Sequence, residues 1–209
     1  MKKTISRIYV IFVFILLYAP IAVLIAFSFN NSRTRAKWGG FTFKWYLQMF
    51  QDAEIMGALR NTLILALLSA TIATLLGLMA SLSLNRMKRR NRTVMLSILN
   101  IPMLNADIVT GISLMLIFIA FGQFLSHYGY TIVFGFGTVL VGHITFNIPY
   151  TVMSILPRVS AINPSTYEAA LDLGASPSQA FRKVVFPDIL PGILSGFLLA
   201  FTLSLDDFV

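Results

Sequence analysis

The chain has 209 residues, 57% of them apolar and only 11% charged, where soluble domains carry about 25% charge. With a mean hydropathy of +0.80, lipid is its expected solvent. The absence of Cys excludes a disulfide framework, a thiolate metal site and a cysteine nucleophile. The net charge of +8 could suit nucleic acid, but the basic residues stand in short clusters beside apolar runs. That pattern orients membrane spans, so no nucleic-acid partner is expected.

Ile8 to Phe29 is 22 residues without a charge, enough to cross about 30 Å of hydrocarbon. Lys2, Lys3 and Arg7 precede it, and the run is longer than the apolar core of a cleaved signal peptide, which makes it a signal anchor. Residues 30–60 form a polar loop with an interfacial aromatic cluster at Phe41, Phe43, Trp45 and Tyr46. Thr62 to Leu84 is a second span, dotted with Ser69, Ala70, Thr71, Ala73, Thr74 and Gly77, small residues that let another helix approach closely. The following stretch, Asn85 to Arg92, holds five basic residues and no acid, and is expected to face the cytoplasm.

Val94 to Phe121 is too long for one straight span and is interrupted by Pro102, Asn105, Asp107 and Gly111, which predicts a broken third span. A Gly- and aromatic-rich turn runs from Gly122 to Gly137. A fourth span, Thr138 to Leu156, is expected to be interrupted at Pro149, and a fifth begins at Ile189 and runs to Val209. Basic residues favour the segments that would lie inside, although the first outer loop is itself basic. The expected fold is therefore all-α, a polytopic transmembrane helical bundle with its N-terminus in the cytoplasm. No internal repeat is visible, which disfavours the inverted repeats of many secondary transporters.

Between the fourth and fifth spans, residues 157–188 carry the most informative signals. Asn163 suits an N-cap with Pro164 at the first helical position, and Gly174 suits a left-handed stop. Ser176, Pro177 and Gln179 then form a capping box for a second helix, expected to end at Pro187. On these signals alone the segment could be no more than a well-capped connection.

The spacing Glu168-Ala169-Ala170, three residues, Gly174, then Val184 and Phe186-Pro187 resembles the signature loop of binding-protein-dependent ABC importer permeases. In that signature Ile stands at the position of Val184 and Leu-Pro at Phe186-Pro187. The resemblance implies a type I ABC importer permease fold with six spans, of which five are visible here and a sixth is apparently missing. It divides the chain into an N-terminal span and extracytoplasmic loop, 1–57, and a C-terminally truncated permease domain, 58–209, with 157–188 as its coupling loop. It implies that the loop's first helix docks on a cytoplasmic ATPase dimer. Small Ala169 and Ala170 permit close approach, Tyr167 and Leu171 supply apolar anchors, Glu168 and Asp172 share one helix face, and Gly174 permits the turn. Solvent exposure alone could equally account for the two acids.

The chain has no phosphate-binding Gly-x-x-x-x-Gly-Lys-Ser/Thr loop. No cofactor is expected within it: ATP and Mg would be used by the partner, and the chain would not be an enzyme. No metal site is expected, since His127 and His143 stand apart in the sequence, one a turn residue and one a packing residue.

Ionisable residues within spans default to function, which singles out Asp107, Asp206 and Asp207. Counting helical rise from Arg92 and Asp188 puts Asp107 and Asp206 at about 22 and 27 Å from the cytoplasmic edge. An electronegative patch at this level would suit a cation, with Tyr150, Phe201 and Phe208 for cation–π contact. His143, Asn147 and Tyr150 share one face of the fourth span as hydrogen-bonding groups, suited to interhelical contact or to substrate.

Ser204-Leu205-Asp206-Asp207-Phe208, with Tyr18-Ala19-Pro20 and Trp45-Tyr46, is similar to the permeases of spermidine/putrescine importers. That resemblance implies a polyamine substrate, a homologous second permease subunit, an extracytoplasmic substrate-binding protein, contact with membrane lipid, and a place in the bacterial inner membrane. The same architecture could instead carry ferric ion, sulfate or another small solute. A proton-coupled secondary transporter using Asp107 and Asp206 is the alternative from another class.

Overall fold

A computed structural model describes residues 2–32, 34, 37–105, 107–129 and 134–206, without the side chains of 2–5, 107 and 164. The chain forms two compact units, Met1–Arg60 and Asn61–Val209. Among the described residues the structure is helical, with one isolated β-bridge, Asn30 to Phe41. Among the described residues, five helices are long and apolar enough to cross a membrane.

In the first unit, α1 (Lys2–Ser28) continues through Pro20. The chain after it is organised by one buried side chain. Asn30 accepts from the backbone N–H groups of Ser32 and Gly39 and donates Nδ2 to the Lys37 carbonyl, while its own carbonyl accepts from Trp45 Nε1 at 2.8 Å. Phe29 stacks on Phe41 and meets Phe43 and Tyr46 at ring distances of 5.1 to 5.4 Å. The expected aromatic cluster is thus a built structure, continued by the short α2 (Lys44–Gln51).

The second unit is arranged around α6 (Phe136–Ala161). Helix α3 (Ala53–Arg86) buries Ala66, Ser69, Ala70, Ala73, Thr74, Gly77, Ser81 and Leu84 in its part within this unit, one stripe at helical spacing. Of the small residues expected to mediate packing, only Thr71 lies off this stripe, where it bonds the Leu67 carbonyl. A side chain at Gly77 would collide with Thr151 Oγ1, and Thr151 donates to the Ala73 carbonyl at 3.0 Å. Two helix backbones meet closely because neither presents bulk.

The helix breaks at Asn105, where the sequence predicts an interruption, but the third helix long and apolar enough to cross is Ile108–Ser126 alone, not Val94 to Phe121. Helix α4 (Arg89–Leu104) gives way at Asn105, and α5 (Asp107–Ser126) begins after it. Leu96 and Leu99 of α4 pack on a buried cluster of Leu84, Val152 and Leu156, and Arg92 donates to Ser160 at 2.9 Å. Because the helix breaks, the rise counted from Arg92 to Asp107 does not carry through as one helix.

Two expectations are corrected. The fourth span is not interrupted at Pro149: α6 runs on through Pro149 and Pro157. Proline removes one main-chain bond, but a helix held along its length by neighbours tolerates that loss. Nor does the second loop helix end at Pro187. After α7 (Pro164–Asp172) and α8 (Pro177–Ala180), residues Phe181–Val185 form a π-helical turn, in which the Phe186 N–H reaches back to the Phe181 carbonyl. Helix α9 (Phe186–Asp206) follows without a gap, so Pro177–Asp206 is one apolar helix. The wider turn makes room for a proline ring that would otherwise press on the carbonyl four residues back.

The contact between α6 and α9 is extensive. On α9 it uses Gly192, Gly196, Ala200 and Ser204, a small residue every fourth position, all buried. Gly192 lies against Arg158 and Gly196 against Ser154 and Thr151.

Candidate functional site

The loop between α6 and α9 forms as its capping residues dictate. Asn163 accepts the Ser165 N–H at 3.0 Å, with Pro164 in the first turn. At the other end Gly174 sits at φ +86°, the Ala175 N–H bonds the Ala170 carbonyl, and the Gly174 N–H bonds that of Leu171. This pairing ends α7 as a Schellman motif. Ser176 and Gln179 close the reciprocal capping box, with the Ser176 N–H bonding Gln179 Oε1 at 3.0 Å.

The helix has two unlike faces. Tyr167 is half-buried against a cluster of Ile155, Val159, Val185 and Ile189, so it anchors α7 to its own chain. The inner side of Tyr167 is thus engaged with its own chain. Leu171 and Ala170 are half-buried, while Glu168, Ala169 and Asp172 are exposed. Leu173, which sequence reasoning passed over, is 89% exposed at the tip. Its only sequence signal was an apolar residue placed directly before a left-handed glycine, where the helix can no longer bury it.

The residues expected along a substrate pathway are less organised. Asp206 is the last described residue of α9, exposed, two positions past Ser204. Phe201 is half-buried and stacks on Phe197 at 6.2 Å, and Tyr150 is half-buried on α6. Asp107 opens α5. Asp207 and Phe208 lie outside the described residues.

At the level of Asp206 the structure instead shows a buried polar knot. Asn147 Nδ2 donates to Ser204 Oγ at 2.7 Å, and Ser204 and Ser69 share a hydroxyl bond of 2.9 Å. It ties α3, α6 and α9 together. Asn147 therefore serves interhelical contact, one of the two roles open to it, and His143 is buried one turn away on the same helix. The period-four stripe ending at Ser204 was the sequence signal that could have identified this knot. Among the described residues no group of three His, Cys, Asp or Glu side chains could hold a metal ion.

Residues 73–209 match the family described as binding-protein-dependent transport system inner membrane component. The chain is 38% identical over 193 residues to the spermidine/putrescine transport system permease protein PotC of Escherichia coli K12, covering 92% of this chain and 70% of that protein. It is also 38% identical over 197 residues to the putrescine transport system permease protein PotI of the same strain, covering 94% and 69%. Among solved structures, a bacterial ABC transporter involved in import of the acidic polysaccharide alginate superposes with a TM-score of 0.71 at 20% identity, covering 98% of this chain and 76% of that one.

Proposed function

Since the chain belongs to the binding-protein-dependent transport system inner membrane components, which makes it a multi-pass permease subunit and not a catalytic one, we propose that it forms part of the membrane pathway for spermidine and putrescine. In this reading the N-terminus and residues 85–92 and 157–188 lie in the cytoplasm, and residues 1–57 precede a permease domain at 58–209. A homologous second permease completes the pathway, an extracytoplasmic binding protein delivers the polyamine, and a cytoplasmic ATPase dimer supplies the energy with ATP and Mg. The permeases PotC and PotI named above are the grounds for the substrate.

The observation that carries the coupling role is the two-faced helix α7. Tyr167 fixes it to the core that holds α6 and the root of α9, while Glu168, Ala169, Asp172 and Leu173 face outward, with Ala170 and Leu171 at the margin and Gly174 setting the turn. A push on the outer face would pass through Tyr167 and the π-helical turn into a membrane helix. Along the pathway, Asp107, Asp206 and Asp207 would stabilise the cation, with Tyr150, Phe201 and Phe208 offering aromatic faces.

Reconstitution of the assembled complex in vesicles tests this: labelled spermidine or putrescine should enter only with ATP, the ATPase and the binding protein present. Uptake of sulfate or ferric ion in place of polyamine would contradict the substrate, and uptake driven by a proton gradient without the ATPase would contradict the mechanism.

A further inference from the structure

At the end of α3 a cavity of about 350 Å³ is used by neither the docking face of α7 nor the pathway residues. Its walls include Leu82 of α3, Val159 of α6, Tyr167 of α7, and Phe181 and Val185, the first and last residues of the π-helical turn. Ser83, Asn85 and Arg86 line it too, and the Arg86 side chain makes no hydrogen bond or ion pair with the described residues. Among the described residues no acid lines it. Lys88, Arg89, Arg90 and Arg92 follow Arg86 closely, and of these Arg92 is engaged with Ser160.

A mainly apolar cavity with one arginine in its lining, set at the end of a membrane-spanning helix, matches a molecule that is apolar along its length and anionic at its head. A free anion would leave the chamber unfilled, and a purely apolar ligand would leave the cluster of positive charge unanswered. We propose that this cavity binds an anionic phospholipid of the cytoplasmic leaflet, with the phosphate at Arg86 and an acyl chain between Leu82, Val159 and Phe181. The assignment rests on the reading above that residues 85–92 face the cytoplasm. Its consequence follows from the walls: a chain lodged against Tyr167, Phe181 and Val185 props the contacts that fix α7 to the root of α9. Anionic lipid thereby stiffens the link between the docking helix and the fifth span.

The test uses the assembled transporter in nanodiscs and two photoreactive probes, phosphatidylglycerol and phosphatidylcholine, each with the reactive group on an acyl chain. Peptide mapping should find the phosphatidylglycerol probe on residues 82–86 and 159–167, with the phosphatidylcholine probe about fivefold weaker there. Arg86→Gln should lower phosphatidylglycerol labelling about fivefold, to the level of phosphatidylcholine, while Arg86→Lys retains most of it. Ser83→Phe, which fills the cavity from an exposed position, should block both probes. Equal labelling by the two lipids, labelling indifferent to Arg86→Gln, loss of labelling to inorganic phosphate, or no labelling because a protein segment fills the cavity would each overturn the site. Labelling is read without transport, so a complex that binds the lipid but takes up no polyamine contradicts the importer reading alone. Reaction of an Arg89→Cys variant with an impermeant thiol reagent added outside intact cells would contradict the orientation on which both rest.

Discussion

The loop at 163–187 and the end of the bundle around Ser204 were equally prominent in the sequence, yet they are built in different ways. In the loop, each signal is local and closes on itself: Asn163 on Ser165, Gly174 on Leu171, Ser176 on Gln179. Around Ser204, the carboxylate of Asp206 is exposed, and order comes from Asn147, Ser204 and Ser69, residues 135 and 57 positions apart in their pairings. Capping chemistry is legible in a few consecutive residues, whereas a polar knot across three helices depends on which faces meet.

That contrast can be broken most forcefully in the packed stripe. Gly77→Leu forces a side chain into Thr151 and should cost about 3 kcal/mol or abolish folding, read as loss of monodisperse protein or a large drop in melting temperature. Gly142→Ala, which meets no atom within 4 Å, should leave both unchanged. Next in size, Leu173→Glu should weaken capture of the ATPase by about thirtyfold, the loss expected of an anchor at the centre of an interface, without altering thermal stability. Unaltered capture would remove Leu173 from the docking face.

Gly174→Val places a β-branched residue at φ +86°, which costs about 1–2 kcal/mol in the loop alone. Polyamine uptake should fall while membrane insertion is unchanged, and Gly174→Asn, which tolerates this conformation, should recover part of the activity. Retained uptake in the valine variant would show that the turn geometry is dispensable. Asn147→Ala should cost about 1 kcal/mol by removing one interhelical bond, measured as a modest shift in melting temperature. Smallest is Asp206→Asn, expected to lower polyamine uptake a few-fold with ATPase assembly intact; undiminished uptake would leave the polar knot as the whole role of this level.

The spans, the break at Asn105 and both caps of α7 were legible because each depends on composition or on neighbours within four residues. The continuity of α9 through Pro187 was not, since the proline reads as a stop until the π-helical turn before it is known. The inner contact of Tyr167 was not legible for a related reason. Its helix position allowed either an inward or an outward role, and its packing with Ile155 and Val185 depends on which faces meet. The stripe of Gly192, Gly196, Ala200 and Ser204 was legible in principle, being strictly periodic, but it is masked by larger apolar residues between its members.

The two faces of α7 also allow the coupling role to be tested at single-residue resolution. A photocrosslinking amino acid at position 173 or at position 167 in the assembled complex, followed by identification of the captured chain, reads each face separately. A crosslink from 173 to the ATPase subunit, with 167 captured only by this chain's own residues, is the predicted result. Capture of the ATPase from 167, or its absence from 173 in a complex that still contains the ATPase, would contradict the account.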